Sequence, residues 1–487
     1  MIKNACLNII FLINIVCISG FVSLKASAIE HHEDISNSEI ELGLSLHPDN
    51  SLMVNASIAT VSKARVAIRV KSANTKRRRT GYSNLGTEHH ITVAGLRADT
   101  TYRFTAVAIF ETGKVVSSEE VTFKTGSLPV GAPAINVLAS TERSEGGITI
   151  FAPASDENSR YWGIDEEGEV VWYLHGDLPL AGAPVARNLG DGKLLLLLDQ
   201  EARIVTLTGE TLKTFPLPSY HHDAVLLDSG NLLALTYARE TVDGVLLQGD
   251  VIVEVDSQGN TVWEWSAFDH LDTNRFPGAL ASRVLGNGAT DWTHSNALFH
   301  IAEDDSILLS SRSQSWVINI DHQSGDVRWI MGSNTEVSGD LANKFFDLNH
   351  GSWMASQHAV TITNSGEVLI YDNRNEAELS GNIYNSRAVK FALDTSTMAA
   401  EQSWEYIAPK YTQSLGDVDE LAGGNILVCA GGPSDVSTGG DRNAHLVEVT
   451  ADEGAPITWE VEIENTLIYR AERITWGELL GRTDSEP

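Results

Sequence analysis

His221, His294 and His358, together with Asn296 and Arg312, are the residues whose types and spacing carry chemistry in this chain. They recur at matched places. Asp223-Ala224-Val225, Asn296-Ala297-Leu298, His358-Ala359-Val360 and Asp417-Val418-Asp419 share one register, each at the head of an apolar strand. Two residues earlier stand His221, His294, Ser356 and Leu415. A strand period of two sets His221 on the face of Asp223, and His294 on the face of Asn296. The ends of the following strands align Tyr237, Arg312, Asn373 and Gly431. Three imidazoles meeting at one place can ligate a metal ion. A neutral imidazole, with its ordinary pKa of ~6.5, is also a nucleophile and a proton carrier. An arginine beside them is a poor neighbour for a metal and a good clamp for a tetrahedral oxyanion. The sequence has no G-x-S-x-G elbow, phosphate loop, H-E-x-x-H or Asp-rich calcium loop that would point elsewhere.

The elements that must position these residues form a repeat. One half of it is an apolar strand, an Asp, a turn with Gly, then Val and Trp. It runs from Ile164-Asp165 to Val171-Trp172, from Val255-Asp256 to Val262-Trp263 and from Ile320-Asp321 to Arg328-Trp329. Looser copies end at Phe215, Trp404 and Trp459. The other half is a turn and a hydrophobic strand, starting at Gly190, Ser229, Asp305, Ser365 and Gly423. The aromatic anchors lie 43 to 75 residues apart, the shortest spacing fitting a bare four-stranded unit and the longer ones carrying inserted loops such as 267–290 and 333–355. Six such units predict a six-bladed β-propeller over residues 134–487. The first unit lacks its innermost strand, and Leu467–Ile474 has the character to supply it and close the ring. The inner strands of a propeller start at one mouth of the channel, so residues far apart in sequence converge there. The repeated tryptophans are read as packing between blades.

Residues 29–128, ahead of a break at Pro129–Pro133, read as a small fibronectin III-like β-sandwich of short alternating strands. Leu96–Tyr102 has the pattern of its tyrosine corner. The basic run Lys76-Arg77-Arg78-Arg79 is read as a solvated hairpin tip. Residues 1–28 read as a secretory signal peptide: Lys3, an apolar run from Leu7 to Val22, and Ala26-Ser27-Ala28 at the cleavage site. Cys6 and Cys17 would leave with it, so Cys429, inside an apolar strand, is expected to be a buried inert thiol. The expected compartment is the periplasm. The 487 residues carry 34 Lys+Arg against 65 Asp+Glu, a net charge of −31. That balance argues against nucleic acid and an anionic membrane as partners, and no membrane insertion is expected, while a local cluster of Arg and His can still hold a small anion.

Asp291-Trp292-Thr293-His294-Ser295-Asn296, Ser310-Ser311-Arg312, Gln357-His358 and Asp372-Asn373, set on this repeat behind a sandwich, resemble the bacterial aryl-sulfate sulfotransferases. The resemblance covers nearly the whole chain after the signal peptide. It implies a periplasmic six-bladed propeller that moves a sulfuryl group from a phenolic sulfate donor to a phenol acceptor. No phosphoadenylyl nucleotide, cofactor or metal is implied. It also implies that His358 is the transiently sulfated nucleophile of a ping-pong cycle, that His294 and Asn296 form the H-x-N pair, and that Arg312 is the clamp. One further histidine matches the pair His221-His222, of which strand period favours His221. Asn373, Arg374 and Arg387 are the substrate-binding candidates. A cysteine pair, also implied, cannot form with Cys429 alone. The assembly is left open, with a homodimer as the candidate. The competing readings are a quinoprotein-like or non-enzymatic propeller scaffold, and a metal-dependent lyase or hydrolase using the three histidines.

Overall fold

The computed structural model describes residues 39–154, 160–174, 180–277, 281–375, 384–432 and 442–482. The expected signal peptide, with Cys6 and Cys17, lies outside the described residues. The N-terminal unit is built on one 22-residue strand, Asn50–Lys71. Its first half pairs with Ile40–His47 and Gly86–Val93, its second half with Thr101–Phe110. A register shift between Ala59 and Ala64 carries it from one layer of the sandwich to the other. Val54, Val66 and Phe104 fill the space between the layers. The Arg97 backbone N–H donates to the Tyr102 hydroxyl at 2.9 Å, which is the tyrosine corner.

Six further sheets follow, and they are the blades. The inner strands are Ile468–Ile474, Leu180–Asn188, Tyr220–Leu226, Ser295–Ile301, His358–Ile362 and Asp417–Glu420. Each touches the next, and the ring closes from the last back to the first. The chain's end therefore does supply the inner strand of blade one, pairing antiparallel with Ile148–Pro153. A second closure was not legible. Ile135–Ser140 adds a fifth, outer strand to blade six, against Ile457–Ile463. It is an edge strand whose apolar residues Val137 and Leu138 are exposed, and its sequence lies outside the repeat register.

Two of the anchor tryptophans, Trp172 and Trp459, tie neighbouring blades through the indole N–H, whereas Trp404 Nε1 has no hydrogen-bond partner among the described residues. A buried indole is stabilised when its one N–H meets an acceptor. Trp172 of blade one donates to the Leu207 carbonyl of blade two at 2.7 Å, and Trp459 of blade six to the Glu166 carbonyl of blade one at 3.0 Å. In blade three the inward residue is Trp265, two places after the anchor Trp263, and it donates to the Gly325 carbonyl of blade four at 3.0 Å. Gly431 marks the point of closure in blade six. A Cβ there would stand 2.0 Å from the Ile468 carbonyl oxygen, and the Ile468 N–H donates to the Gly431 carbonyl at 2.9 Å.

The sandwich docks on blade one. Arg97 Nη2 lies 2.6 Å from Asp165 and 2.9 Å from Glu167. The basic run belongs to the same contact: Lys76 pairs with Glu166 at 3.1 Å, and Arg78 stacks 3.3 Å over the Trp476 ring. Arg78 is thus part of the dock and not a solvated tip, because a guanidinium offered both an indole face and a carboxylate gains more there than in water.

Candidate active site

The heads of the inner strands bend into one mouth of the channel. His222, His294, Ser356 and Leu415 all have positive φ, at 55°, 45°, 55° and 70°. Register shifts accompany three of these heads, between His221 and Ala224, Ser295 and Ala297, and His358 and Val360. Such bulges re-aim side chains and break the simple alternation of a strand.

His358 is 3% exposed. Its Nδ1 lies 2.7 Å from Asn373 Oδ1. The Asn373 Nδ2 group donates to the Thr412 and Leu415 carbonyls at 2.8 and 2.9 Å, which fixes the amide with its oxygen toward the ring. His358 therefore holds its proton on Nδ1 and presents a lone pair at Nε2. Burial, then the positive charge of Arg312, drives the His358 pKa well below its ordinary value.

His294 Nδ1 lies 2.6 Å from Asp291 Oδ2. The insertion 267–290 delivers this carboxylate. Its last residue and Asp291 form a short strand parallel to Val245–Val255, at Leu247 and Gln248. Above it Arg275, 2% exposed, ties the insertion to the Gln314, Ser333 and Thr335 carbonyls.

The two adjacent histidines divide the work. The His222 ring contacts that of His294, with centroids 5.1 Å apart, and that of Tyr469 at 6.1 Å. His221 is turned behind it, stacked 3.8 Å from the Tyr237 ring, with Nε2 3.3 Å from Asp250 Oδ1. The two Nδ1 atoms face each other at 2.8 Å. Strand period favoured His221 at the channel. The bulge at this head, with His222 in the left-handed region, puts His222 against the other site rings instead. Burial, then the repulsion of His221, His294, His358 and Arg312, holds the His222 pKa well below the ordinary value. Burial alone would raise the Asp250 carboxyl, but the facing His221 imidazole and hydrogen bonds from Thr293 and Ser295 leave it lowered.

Arg312, 5% exposed, enters this group with an Nη2 bond to the Gln413 carbonyl at 3.2 Å, while its buried Nε has no hydrogen-bond partner among the described residues. Burial draws its pKa down and Asp291 opposes the shift, but a guanidinium stays charged. Asn296 is fully buried and donates to the Gln357 carbonyl at 2.8 Å, so it braces the strand head that carries His358. Two candidates stand apart. Arg387 spends its donors on Asp372 at 2.8 Å, on Gln402 and Glu405 at 3.0 Å, and on the Ser352 carbonyl at 2.9 Å. Arg374 lies 3.7 Å from Glu405 and 5.7 Å over the Tyr384 ring. Both serve blade five, because the acids of that blade satisfy them first.

Sequence reasoning missed Tyr469, whose hydroxyl donates to the Asn296 carbonyl at 3.1 Å and whose ring centroid is 6.0 Å from that of His358. It arrives on the closing strand, outside the repeat register. Asp223, which shares the register of the site, is withdrawn from it. Arg187 and Arg470 grip it at 2.6 and 3.0 Å and seal the channel floor. Beyond that floor lies a cavity of about 240 Å³ lined by Asp417, Asp419 and Glu472 among others. Cys429 is buried, and burial pushes its thiol pKa up.

Fold and site together define a six-bladed β-propeller with histidines and an arginine gathered at one mouth behind an Ig-like domain. Residues 134–470 match the family model Arylsulfotransferase (ASST), and residues 46–126 match the Arylsulfotransferase Ig-like domain, so the chain belongs to the arylsulfotransferase family. The motif resemblance is borne out at that level. The chain is 26% identical over 312 residues to Arylsulfate sulfotransferase AssT of Escherichia coli O6:H1, covering 50% of this chain and 52% of that protein. It is 24% identical over 317 residues to Arylsulfate sulfotransferase AssT of Lelliottia amnigena, with the same coverage of 50% and 52%. It thus spans about half the length of the curated relatives it matches. A solved protein of unknown function from Bacteroides caccae is similar at a TM-score of 0.42 and 14% identity, over 68% of this chain and 99% of that one.

Proposed function

We propose that this chain transfers a sulfuryl group from a phenolic sulfate ester to another phenol, through a sulfohistidine on His358. The observation that carries the proposal is the locked tautomer. Asn373 keeps the His358 proton on Nδ1, so Nε2 offers a lone pair in a buried site that also holds the Arg312 cation. The unpartnered Arg312 Nε is a donor awaiting an anion, and a sulfonate supplies three acceptor oxygens. The Nε2 lone pair attacks sulfur in line; the N–S bond forms as the S–O(aryl) bond breaks. Arg312 holds the sulfonate oxygens through that passage, as clamps do in phosphoryl transfer. His294, oriented by Asp291, gives its Nε2 proton to the leaving phenolate. The acceptor phenol returns that proton, its oxygen attacks sulfur, and His358 is released. His222 lines the same space, oriented by His221 and Asp250.

The domain division into 1–28, 29–128 and 134–487, export to the periplasm, and cleavage after Ala28 belong to this reading. Among the described residues no helix is long and apolar enough to cross a membrane. The test is direct. The protein is mixed with an aryl sulfate and no acceptor, and phenol release and intact mass are followed. One equivalent of phenol and one sulfuryl adduct on the peptide carrying His358 are expected. An adduct on another residue, or turnover with no adduct and no burst, would overturn the assignment.

A further inference from the structure

At the opposite end of blade four, three side chains turn ligand atoms toward one point. The strand Ser295–Ile301 starts beside His294 and ends in a hairpin, and His300, Asp305 and His322 gather there with donor atoms within 4.8 Å of one another. His300 Nε2 is 2.9 Å and His322 Nδ1 is 3.0 Å from the same oxygen, Asp305 Oδ1. The other ring nitrogen of His322 is also committed: Nε2 lies 3.1 Å from Glu254 Oε2 on blade three. Glu254 is 9% exposed, and Asn231 Nδ2 holds its second oxygen at 2.7 Å.

These contacts do not close with neutral rings. A neutral imidazole carries one N–H. If His322 donates from Nε2 to Glu254, its Nδ1 lone pair points at a carboxylate oxygen only 3.0 Å away. Either a second ring proton or a metal ion must stand between them. A divalent ion there would meet two imidazole nitrogens and a carboxylate oxygen, the ligand types that suit zinc and not calcium or magnesium. Glu254 already occupies the place of the outer carboxylate that fixes a ligating histidine's tautomer. Metal bonds of about 2.0–2.2 Å at tetrahedral angles set donors roughly 3.4 Å apart, so the two short contacts need to open by only a few tenths of an ångström. Asp305 sits on an exposed turn with φ of 50° and has room to move. The ring of His322 packs 4.7 Å from that of Trp263 on blade three, so the site sits against that blade.

We propose that His300 Nε2, His322 Nδ1 and the Asp305 carboxylate bind a zinc-class divalent ion that ties two turns of blade four together, with Glu254 of blade three as positioning residue. The site is remote from His358, and the inference stands whether or not the sulfuryl-transfer reading does. The full chain, stripped with chelator, is equilibrated with buffered Zn²⁺, and zinc content and thermal midpoint are measured. His300→Gln, His322→Gln and Asp305→Asn are treated alike, the last keeping a side chain that tolerates positive φ. One zinc per chain and a raised midpoint are expected for the wild type. Each variant should lose both, and Glu254→Gln should bind about 10–100-fold more weakly. Unchanged zinc content and midpoint shift in Asp305→Asn and His322→Gln would overturn the site, as would absence of zinc uptake by the wild type. A midpoint shift with Ca²⁺ equal to that with Zn²⁺ would overturn the class of ion.

Discussion

Replacing Arg312 by lysine keeps a formal charge and removes a geometry. The guanidinium is 5% exposed, and one nitrogen is tied to the Gln413 carbonyl at 3.2 Å, leaving the buried Nε unpartnered among the described residues. A planar fork held in this way offers fixed donors to two sulfonate oxygens at once; an ammonium on a flexible stem does not. Loss of one oriented donor to a developing oxyanion costs about 2.7–4 kcal/mol of transition-state stabilisation, or about 10²–10³ in rate. A second effect adds to it. Burial and the neighbouring imidazoles disfavour an ammonium, so the lysine tends to shed its proton and the charge goes as well. The expected loss in Arg312→Lys is therefore at the upper end of that range. The assay is initial rate of phenol release against aryl sulfate concentration, read as kcat/KM, with circular dichroism and thermal midpoint confirming the fold. A kcat/KM within a factor of ten of wild type, a deficit under about 1.4 kcal/mol, would refute the clamp.

His358→Asn should fold, bind aryl sulfate and release no phenol burst, whereas His294→Asn should turn over slowly and trap sulfoenzyme when the leaving phenol is acidic; a full burst from His358→Asn would reassign the nucleophile. Stability should fall with pH in a defined window. His222 and His358 have native pKa values well below ~6.5, so the unfolded chain binds more protons below that pH and unfolding gains about 1.4 kcal/mol per pH unit for each ring until its native value is reached. Denaturation midpoints that stay flat from pH 7.5 to 5, and do not change in His358→Asn, would contradict this. Gly431→Val should drive a side chain into the Ile468 carbonyl and cost at least about 1–3 kcal/mol, with hydrogen exchange accelerating in Ile468–Ile474; native protection there would count against the closure argument.

The fold was legible because a propeller repeats its own grammar. Asp and Gly turns before Val-Trp, and turn-strand pairs such as that starting at Gly423, recur at blade spacing. What escaped lies outside that grammar. Ile135–Ser140 is an edge strand outside the repeat register, and Tyr469 reaches the site from the closing strand. The choice between His221 and His222 turned on a bulge that leaves two residues, His222 and Asp223, without partners in the ladder, and such a bulge leaves no trace in a hydrophobic pattern. Arg374 and Arg387 looked available because sequence shows charges and not their partners; Asp372 and Glu405 were already engaged with Arg387.

The four left-handed strand heads explain how one backbone device yields different chemistry. Ser356 and Leu415 adopt it as fully as His222 and His294, and a leucine at φ of 70° gains nothing from that conformation, so the bend belongs to the fold and not to the reaction. Each imidazole is distinguished by the group behind it. His358 is backed by an amide oxygen, which orients the ring without adding negative charge, and burial beside Arg312 then keeps it neutral with Nε2 free. His294 is backed by the Asp291 carboxylate, which fixes the orientation of its ring through Nδ1. An uncharged partner suits a nucleophile; a charged one suits a carrier of protons. The division of labour between two histidines on equivalent blades thus rests on Asn373 and Asp291, one at the end of a second strand and the other delivered by an insertion.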